Sequence, residues 1–545
     1  MNREFSSSTQ ARCTSPIHHS LTQPVGGTIG MLVGQQGYVP EPYFLTETLR
    51  SQNRFHDPLQ ESLFSNAGTA HLPSLVTPRS KVPGGTASKS IRYAILEASF
   101  SWNPLLDSSN MDIQDWIRLA TEIELNYHFD AFVVLHGTDT MSYTSSALSF
   151  LLEDLGKTVI ITGAQIPMSQ LRNDAVDNLM GALTIAGHYI IPECCVYFNH
   201  TLYRGNRVTK MSSYDLAAFE SPNFAPLVEV GIDIDVNWDD VIRQTSLRRF
   251  RAHKEMSSHV ATLRLFPGIT GATIKAFCCS PIRGVVLETF GAGNAPQRPD
   301  LIQALKEACD RGVVVVAISQ CTRGSVSDAY ETARTLLQAG VVPGSDMTPE
   351  CALTKLSYLL SKPDLTLNQV RDLIGIPLRG ELTRPSAAAP SHASTSPSTT
   401  DAEPNLDTIH HVLSRFVRLS PGEPPSVGAA GRYGSIAGGI VNCLDPGSGQ
   451  SPLHVSALNG HTRAVELLLQ SGALVHLRDT LGHTALYYAA RQGHPEVVEL
   501  LVKAGAILGG FDSGFADLAV KTALRSGDKA ALKIWTMTGI QICEL

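Results

Sequence analysis

Six short apolar runs between residues 26 and 383 constrain the fold of this chain more than any other feature of its sequence. The runs are continuous rather than alternating, which is typical of strands buried on both faces of a parallel sheet. They are Tyr93–Leu96, Phe132–Leu135, Val159–Ile161, Val196–Phe198, Gly284–Leu287 and Val313–Ile318. Helical patterns lie between them, for example at 112–128 and at 328–339, where Gly340 ends the pattern. The sequence therefore predicts an α/β fold of two lobes with parallel sheets.

Composition excludes several classes of protein. A chain of 545 residues, 43% of them apolar, is long enough for roughly three or four domains with large cores. Its net charge of −7 argues against a nucleic-acid platform, which needs basic surfaces. No apolar run approaches the roughly 18 residues that a membrane span requires. The ten cysteines form no CxxC pair and no metal-ligand spacing, so we expect a cytoplasmic protein without a metal site.

Changes in composition along the chain divide it into six segments. Residues 1–24 are polar, which excludes a secretory signal peptide and predicts a disordered tail. The polar stretch 221–258 is the predicted connection between a first lobe at 25–220 and a second lobe at 259–384. Residues 385–432 are rich in proline and serine and predict a disordered linker, with one amphipathic stretch at 406–419. The last segment is 433–545.

The last segment contains an internal repeat with a period of 33 residues. Residues 451–461 and 484–494 share a hydroxyl residue, an apolar helix start and a Gly-His pair, and each copy continues into a Leu/Val-rich helix. This pattern resembles ankyrin repeats, which predicts a small all-α region. A degenerate third copy is expected at 517–538. An array of only two or three repeats has marginal stability on its own. We therefore expect the repeats to dock on another surface or to begin with a cryptic repeat near 435–444.

Three turns rich in glycine and hydroxyl residues are candidates for chemistry: 26–30, 107–111 and 136–141. The turn at 136–141 directly follows a predicted buried strand, and the carboxyl ends of parallel strands form the ligand crevice of such sheets. Glycine lets the backbone approach a ligand, and successive N–H groups can bind an anion. Other interpretations are open: a helix cap for Asp107, an orienting role for His136, and a solvated loop for the basic stretch 204–210.

Nine motifs together resemble the bacterial-type L-asparaginase family, in its type I (cytosolic) branch. They occur in family order over residues 26–384, and the ankyrin-like region follows them, as in animal members of the family. They are Gly26–Met31, Gly37–Pro40, Asp107–Ser109, His136–Met141, Thr162–Pro167, Arg204–Lys210, Phe266–Ile269, Gly293–Pro296 and Arg379–Leu382. The resemblance implies a two-lobed parallel-sheet fold and hydrolysis of L-asparagine to L-aspartate and ammonia.

The resemblance also implies roles for individual residues. Thr28 is the expected nucleophile, with Tyr38 on a closing loop to activate it. Thr138 and Lys210 are expected to form a second hydroxyl–base unit next to Asp139. The substrate's ammonium and α-carboxylate groups are expected to bind a set of five residues. These are Asp107, Ser108, Ser109, Thr138 and Asp139. No metal or organic cofactor is implied.

Quaternary structure and regulation also follow from the resemblance as expectations. Family members are homodimers or homotetramers, and the small-molecule substrate is L-asparagine. Three residues match an effector site of the bacterial enzymes: Thr209, Asn294 and Cys321. Glu288 stands where those enzymes have an arginine, which counts against effector binding. The ankyrin-like repeats predict an additional, unknown protein partner.

The segment before Thr28 departs from the family pattern. The family has an apolar strand leading into Thr-Gly-Gly-Thr, whereas here Val25 replaces the first threonine and Pro24 precedes it. Because proline lacks an N–H donor, we expect the strand at 18–24 to be missing or badly altered. An alternative first exon, leaving a weakened enzyme, and a functional but poorer strand are both consistent with this.

Three functions compete on the sequence alone. The first is an asparagine amidohydrolase. The second is a lysophospholipid esterase that uses the same site, for which the sequence has no Gly-x-Ser-x-Gly motif. The third is a catalytically weakened protein that acts through its ankyrin-like repeats. Ammonia release from asparagine distinguishes the first from the other two.

Overall fold

Strands occur at all six apolar runs, and the predicted two-lobed α/β architecture followed by a helical region is confirmed. The computed structural model describes residues 18–24, 28–34, 37–40, 44–59, 74–81, 88–95, 107–326, 331–383, 439–445 and 447–540. The strands are β1 His18–Pro24, β2 Met31–Gly34, β3 Gly37–Pro40, β4 Ser74–Val76, β5 Ser80–Lys81, β6 Ser88–Lys89, β7 Ile91–Ile95, β8 Ala131–Leu135, β9 Leu152–Glu153, β10 Thr158–Thr162, β11 Cys194–Phe198, β12 Thr201–Arg204, β13 Thr209–Lys210, β14 Phe219–Glu220, β15 Val228–Val230, β16 Ile234–Val236, β17 Arg251–Ala252, β18 Val260–Arg264, β19 Gly284–Thr289, β20 Val314–Ser319 and β21 Val342–Pro343.

The helices alternate with these strands and then form the last part of the described chain. They are α1 Phe44–Ser51, α2 Ile113–Leu125, α3 Met141–Leu151, α4 Ala175–His188, α5 Gly271–Phe277, α6 Pro299–Asp310, α7 Glu331–Gln338, α8 Pro349–Leu360, α9 Leu367–Ile374, α10 Gly439–Asn442, α11 Pro452–Leu458, α12 Thr462–Gln470, α13 Ala485–Gln492, α14 Pro495–Lys503, α15 Phe511–Ser526 and α16 Lys529–Met537. No helix in the described ranges is both long and apolar enough to cross a bilayer.

The first lobe is built on a nine-stranded sheet with the order β16-β15-β12-β11-β10-β8-β1-β7-β4. The five strands from β11 to β7 are parallel, while the strands at both edges are antiparallel. Side chains of β8 alternate between two cores, because Phe132 and Val134 pack against α2 and α3 while Val133 and Leu135 pack against α1 and α4. Burial on both faces explains why the strand is apolar at every position.

The second lobe has a parallel four-stranded sheet with the order β18-β19-β20-β21. Helix α6 covers one face and α8 covers the other. Helix α8 also packs against α3 of the first lobe, where the Ser146 and Thr354 hydroxyls lie 2.7 Å apart. The two lobes are therefore joined by packed helices that begin at the carboxyl ends of sheet strands.

Glu153 forms a second, ionic connection between the lobes. Its carboxylate is buried and accepts hydrogen bonds from Tyr358 Oη at 2.6 Å, from Arg251 Nε at 2.6 Å and from Lys362 Nζ. Burial alone would raise the pKa of Glu153, but the hydrogen bonds from Lys362, Tyr358 and Arg251 outweigh it and lower the pKa to about 2. This stabilisation is therefore present above pH 4.5 and is lost as the pH falls towards 2.

We expect Glu153→Gln to lower the melting temperature at pH 7, with a loss on the order of 3 kcal/mol from the pKa shift of Glu153. The difference from wild type should narrow as the pH falls from 4.5 towards 2, because wild-type Glu153 is then protonated too. Thermal unfolding at a series of pH values measures this difference, with the exposed Glu499→Gln as the control. A difference that stays constant between pH 6 and pH 3 would contradict the assignment.

Residues 18–24 are predicted to belong to a disordered tail in which the strand is missing or badly altered, but the structure has a strand there. They form β1, which lies between β7 and β8 in the middle of the parallel sheet. Pro24 is the last residue of β1, paired with Leu135, so its missing N–H affects only the end of the ladder. Pairing with a strand on each side outweighs the polar composition of the segment. The rest of the predicted tail, 1–17, lies outside the described residues.

The predicted connection at 221–258 is partly a continuation of the first lobe. Strands β15 and β16 extend the nine-stranded sheet at its edge, and β17 pairs with β9. The predicted linker at 385–432, with its amphipathic stretch at 406–419, lies outside the described residues.

The predicted repeats are antiparallel helix pairs that share one core. The pairs are α11 with α12, α13 with α14, and α15 with α16, so the degenerate third copy is a helix pair too. Helix α10 lies within the range predicted for a cryptic repeat, and its Val441 joins this core. The glycines that follow the second helix of each pair, Gly472, Gly505 and Gly539, have positive φ angles, which explains the recurrence of glycine there.

Candidate active site

The turn at 136–140 connects the central strand β8 to helix α3 at the carboxyl edge of the first sheet. Its first residue, His136, is buried and is fixed on both sides of its ring. Nδ1 donates to the carbonyl of Gly137 at 2.7 Å, while Nε2 accepts from the Thr144 hydroxyl at 2.8 Å. Burial lowers the pKa of His136 to about 4, so the ring is neutral near pH 7. His136 therefore orients the turn rather than acting as a base.

Lys210 joins two side chains of this turn. Its Nζ donates to Thr138 Oγ1 at 2.9 Å and to Asp139 Oδ1 at 2.8 Å. Thr138 is buried, whereas the Asp139 side chain is 66% exposed. A buried hydroxyl beside an ammonium group has a lower proton affinity, because the positive charge stabilises the alkoxide. The arrangement can therefore activate a hydroxyl, and its carboxylate is open to a ligand.

Lys210 reaches the turn because it lies on the short strand β13, which pairs with β14 in a hairpin. Its neighbour Thr209 points elsewhere and donates to Glu350 Oε1 on α8 at 2.7 Å. Adjacent residues of a strand point to opposite sides, so one residue of β13 serves the turn and the other contacts the second lobe.

The turn at 107–110 lies beside the turn at 136–140. Thr140 Oγ1 donates to the carbonyl of Ser108 at 2.8 Å, which ties the two turns together. Asp107 caps the 3-10 helix Ser108–Asn110, since its Oδ1 accepts from the N–H and the hydroxyl of Ser109 at 2.9 and 3.0 Å. The capping role anticipated for Asp107 is therefore present, and it places this side chain at the same edge of the sheet as Asp139.

Gln165 has no role predicted from the sequence, and the structure places it in direct contact with Thr138. The Thr138 hydroxyl donates to Gln165 Oε1 at 3.1 Å, so this hydroxyl has a proton acceptor and the Lys210 donor at once. Gln165 Nε2 donates to the carbonyl of Asp215 at 3.1 Å. A glutamine carries no pattern of its own, and only its place within the motif at 162–167 could have drawn attention to it.

Asp174 fixes the backbone that carries Gln165. Its two carboxylate oxygens accept from the N–H groups of Gln165 and Ile166 at 3.0 and 2.9 Å. The amide of Asn178 also donates to Asp174, at 3.1 Å. The Asp174 carboxylate therefore makes the contacts that hold the loop.

Gly163 lies where no larger residue fits. A Cβ at this position would be 2.2 Å from the carbonyl oxygen of His136 and 2.9 Å from Met141 Cε. We expect Gly163→Ala to push the 136–140 turn away from Lys210. The free energy of unfolding should fall by about 1–3 kcal/mol because the site is overpacked, and the activity should fall as well. Thermal unfolding and steady-state kinetics measure the effect. Gly231→Ala, whose added Cβ meets only an atom at 3.7 Å, is the control and should behave as wild type.

The backbone of Thr28 is also brought to this edge. Thr28 begins the 3-10 helix Thr28–Gly30, a few residues after the end of β1 beside Leu135. The N–H of Met168 donates to the carbonyl of Ile29 at 3.2 Å, and Ser169 Oγ donates to the carbonyl of Met31 at 2.8 Å. The segment is thus attached to the loop that carries Gln165. The side chains of Thr28 and Tyr38 lie outside what the structure describes.

The predicted effector residues are distributed over both lobes. Asn294 and Cys321 follow the neighbouring parallel strands β19 and β20, so both lie at the carboxyl edge of the second sheet. Thr209 lies on β13 and bonds to α8. Glu288 forms an ion pair with Arg264 at 3.1 Å. Within the described ranges, no group of three or more His, Cys, Asp or Glu residues is arranged to hold a metal ion.

Family models match three parts of the chain. The model described as Asparaginase, N-terminal matches residues 23–242, and the Glutaminase/Asparaginase C-terminal domain matches residues 259–374. A model of ankyrin repeats in three copies matches residues 433–510. The first match continues past residue 220 through β15 and β16, in agreement with the sheet.

Similar proteins cover both the lobes and the repeats. An L-asparaginase of Dirofilaria immitis is 39% identical over 481 residues, which are 85% of this chain and 77% of that protein. A 60 kDa lysophospholipase of Mus musculus is 38% identical over 474 residues, which are 85% of this chain and 80% of that protein.

A solved structure is similar to about two thirds of this chain. The crystal structure of L-asparaginase I from Vibrio cholerae is 38% identical, has a TM-score of 0.56, and covers 68% of this chain and 100% of its own. Since similarity at this level extends over most of each relative and both lobes match family models, the chain belongs to the asparaginase family.

Proposed function

We propose that this protein hydrolyses the side-chain amide of L-asparagine to L-aspartate and ammonia. The observation that carries the proposal is the contact of Lys210 with both the Thr138 hydroxyl and the Asp139 carboxylate at the carboxyl edge of the sheet. A hydroxyl next to an ammonium group suits attack on a carbonyl, and an exposed carboxylate suits the ammonium group of an amino acid. The membership of the family and the L-asparaginase names of relatives support the same reaction.

The proposed reaction has two half-reactions. The Thr28 hydroxyl, assisted by Tyr38, attacks the amide carbon, and its proton leaves with the amide nitrogen as ammonia. A threonine ester of aspartate remains. Thr138 and Lys210 then direct a water molecule to the ester carbon, which releases L-aspartate and restores the Thr28 hydroxyl. Backbone N–H groups around Thr138 stabilise the oxyanion of each tetrahedral intermediate.

Recognition of the substrate is proposed to fall to the two turns that Thr140 ties together. The residues Asp107, Ser108 and Ser109 lie on one turn, and Asp139 lies on the other. An α-amino acid requires a carboxylate for its ammonium group and hydrogen-bond donors for its α-carboxylate. Asp107 and Asp139 supply the first, and the hydroxyl and backbone N–H of Ser108 supply the second. Ser109, whose N–H and hydroxyl both donate to Asp107, holds that carboxylate in place.

A second candidate function is hydrolysis of lysophospholipids, favoured by the name of the Mus musculus relative. A hydroxyl that forms an ester intermediate with an amide can form one with an ester substrate as well. The polar groups of the two turns match the charged groups of an amino acid, so they favour the amide as the main substrate.

A substrate panel tests the proposed function. The purified full-length chain is given L-asparagine, L-glutamine or lysophosphatidylcholine, and the release of ammonia or fatty acid is measured. We expect ammonia from asparagine at a kcat/KM that exceeds the values for the other two substrates. Fatty-acid release as the fastest reaction would instead assign the lysophospholipase function.

Assembly, regulation and location are part of the same proposal. By analogy with the family, the chain is proposed to form a homodimer or homotetramer in the cytoplasm and to need no cofactor. Thr209, Asn294 and Cys321 are the positions of a possible effector site, and Glu288, paired with Arg264 where the bacterial enzymes have an arginine, counts against effector binding there. A binding isotherm for asparagine that exceeds one site per chain would support the effector site.

A further inference from the structure

We infer that the ankyrin repeats bind the catalytic lobe of their own chain and cover the amino ends of its parallel strands, opposite the active site. On the lobe, the contacting segments are 126–130 before β8, 156–157 before β10, and the stretch 243–250. On the repeats, they are the loops at 472–478 and 502–509, which follow α12 and α14. We refer to these five segments together as the docking interface.

Apolar side chains cross the docking interface in both directions. Ile507 of the repeats packs against the core of the first lobe, and Leu247 of the lobe packs against the core of the repeats. The ring of Tyr127 stacks on Phe250 with centroids 3.9 Å apart and meets the buried His476 ring edge-on at 6.1 Å. Each core is thus completed by residues of the other unit, as expected for a permanent interface.

A buried arginine connects the units electrostatically. Arg478 of the repeats, with a side chain that is 7% exposed, donates to Asp130 Oδ1 of the lobe from Nη2 at 2.9 Å and from Nε at 3.2 Å. The remaining donors of Arg478 bind groups of the repeats: the carbonyls of Gly482 and Gly509 and the carboxylate of Asp512. Because an unpaired buried charge is costly, this surface of the repeats is built to be covered.

Backbone contacts fix the approach of the two units. Arg249 Nε donates to the carbonyl of Val502 at 3.0 Å. A Cβ on Gly509 would lie 2.5 Å from the carbonyl oxygen of His128, so the two backbones touch where only glycine fits. Lys157 Nζ donates to the carbonyls of Tyr127 and Phe129 at 2.7 and 2.6 Å, which holds the lobe side of the interface in place.

The position of the docking interface predicts its effect. Residues 126–130 and 156–157 precede β8 and β10, whereas Thr138 and Gln165 follow the same strands. Five residues of strand span roughly 16 Å, so the repeats stabilise the sheet without covering the substrate turns. The loops at 472–478 and 502–509 therefore already contact the lobe. This contact offsets the marginal stability of so few repeats.

Cleavage of the chain between the units tests the inference without relying on the proposed function. A protease site is inserted between residues 384 and 438 of the full-length chain, and the cleaved protein is passed over a size-exclusion column at micromolar concentration. We expect the two fragments to co-elute. Separation of the wild-type fragments would overturn the inference and leave the repeat surface for another protein.

Two variants disturb the docking interface from opposite sides. Asp130→Lys in the lobe and Gly509→Ala in the repeats should each weaken fragment association by about a hundredfold, so the fragments separate. The control is Gly514→Ala in the adjacent helix α15, since an added Cβ there meets no atom within 4 Å, and its fragments should stay together. Co-elution of all variants alike would overturn the proposed interface, and circular dichroism of each uncleaved chain confirms folding.

Discussion

Replacing Thr138 with valine is expected to lower kcat for L-asparagine by about 10²- to 10⁴-fold, the range typical of losing a positioned proton-transfer group. Valine has the shape of threonine, so the buried pocket stays filled while Oγ1 disappears. That oxygen accepts from Lys210 at 2.9 Å and donates to Gln165 at 3.1 Å, so no neighbouring group can replace it. Steady-state ammonia release measures the effect.

Two matched variants show whether the hydroxyl itself matters. Thr138→Ser keeps a hydroxyl and should retain a substantial part of the wild-type rate. Thr201→Val makes the same change on strand β12, away from the two turns, and should leave kcat unchanged. If Thr138→Val kept more than about a tenth of the wild-type kcat, the proposed role of Thr138 would be wrong.

Lys210→Met is expected to lower kcat by a similar factor, about 10²- to 10⁴-fold, while KM changes less. Methionine retains most of the length of lysine but removes the ammonium group, which lies 2.9 Å from Thr138 Oγ1 and 2.8 Å from Asp139 Oδ1. Without this charge the hydroxyl loses the group that lowers its proton affinity.

A charge-conserving variant separates two roles of Lys210. Lys210→Arg keeps the positive charge but cannot lose a proton near neutral pH, so it should stay as slow as Lys210→Met if lysine acts as a base. Recovery of the wild-type rate in Lys210→Arg would show that charge alone is needed. The control is Lys254→Met, a lysine of the same lobe whose side chain is 54% exposed.

The parts of the fold that follow from local sequence were predictable. Runs such as Phe132–Leu135 are apolar at every position because both faces of the strand are covered, and the strand occurs there. Strand β1 was missed because its segment is polar and ends at Pro24, and only its two neighbours in the sheet, β7 and β8, explain its pairing. The β-propensity of a segment depends on its own residues and does not predict its pairing with strands that are distant in sequence.

The candidate site was predictable to a similar extent. The position of the 136–141 turn follows from the strand before it, whereas Lys210, more than seventy residues later, entered only through the family resemblance. The contact of Thr138 with Gln165 was not predicted at all. Arg478 and Asp130 are 348 residues apart, so the docking interface could not be inferred from the repeat pattern.

The proposed reaction requires a threonine hydroxyl of this chain to remove ammonia from L-asparagine. Ammonia release by the purified full-length protein, measured side by side with Thr28→Val, tests it most directly. We expect steady release by the wild type and no release above the buffer by Thr28→Val, with the same melting temperature for both proteins. Equal release by the two proteins, or none by the wild type, would contradict it.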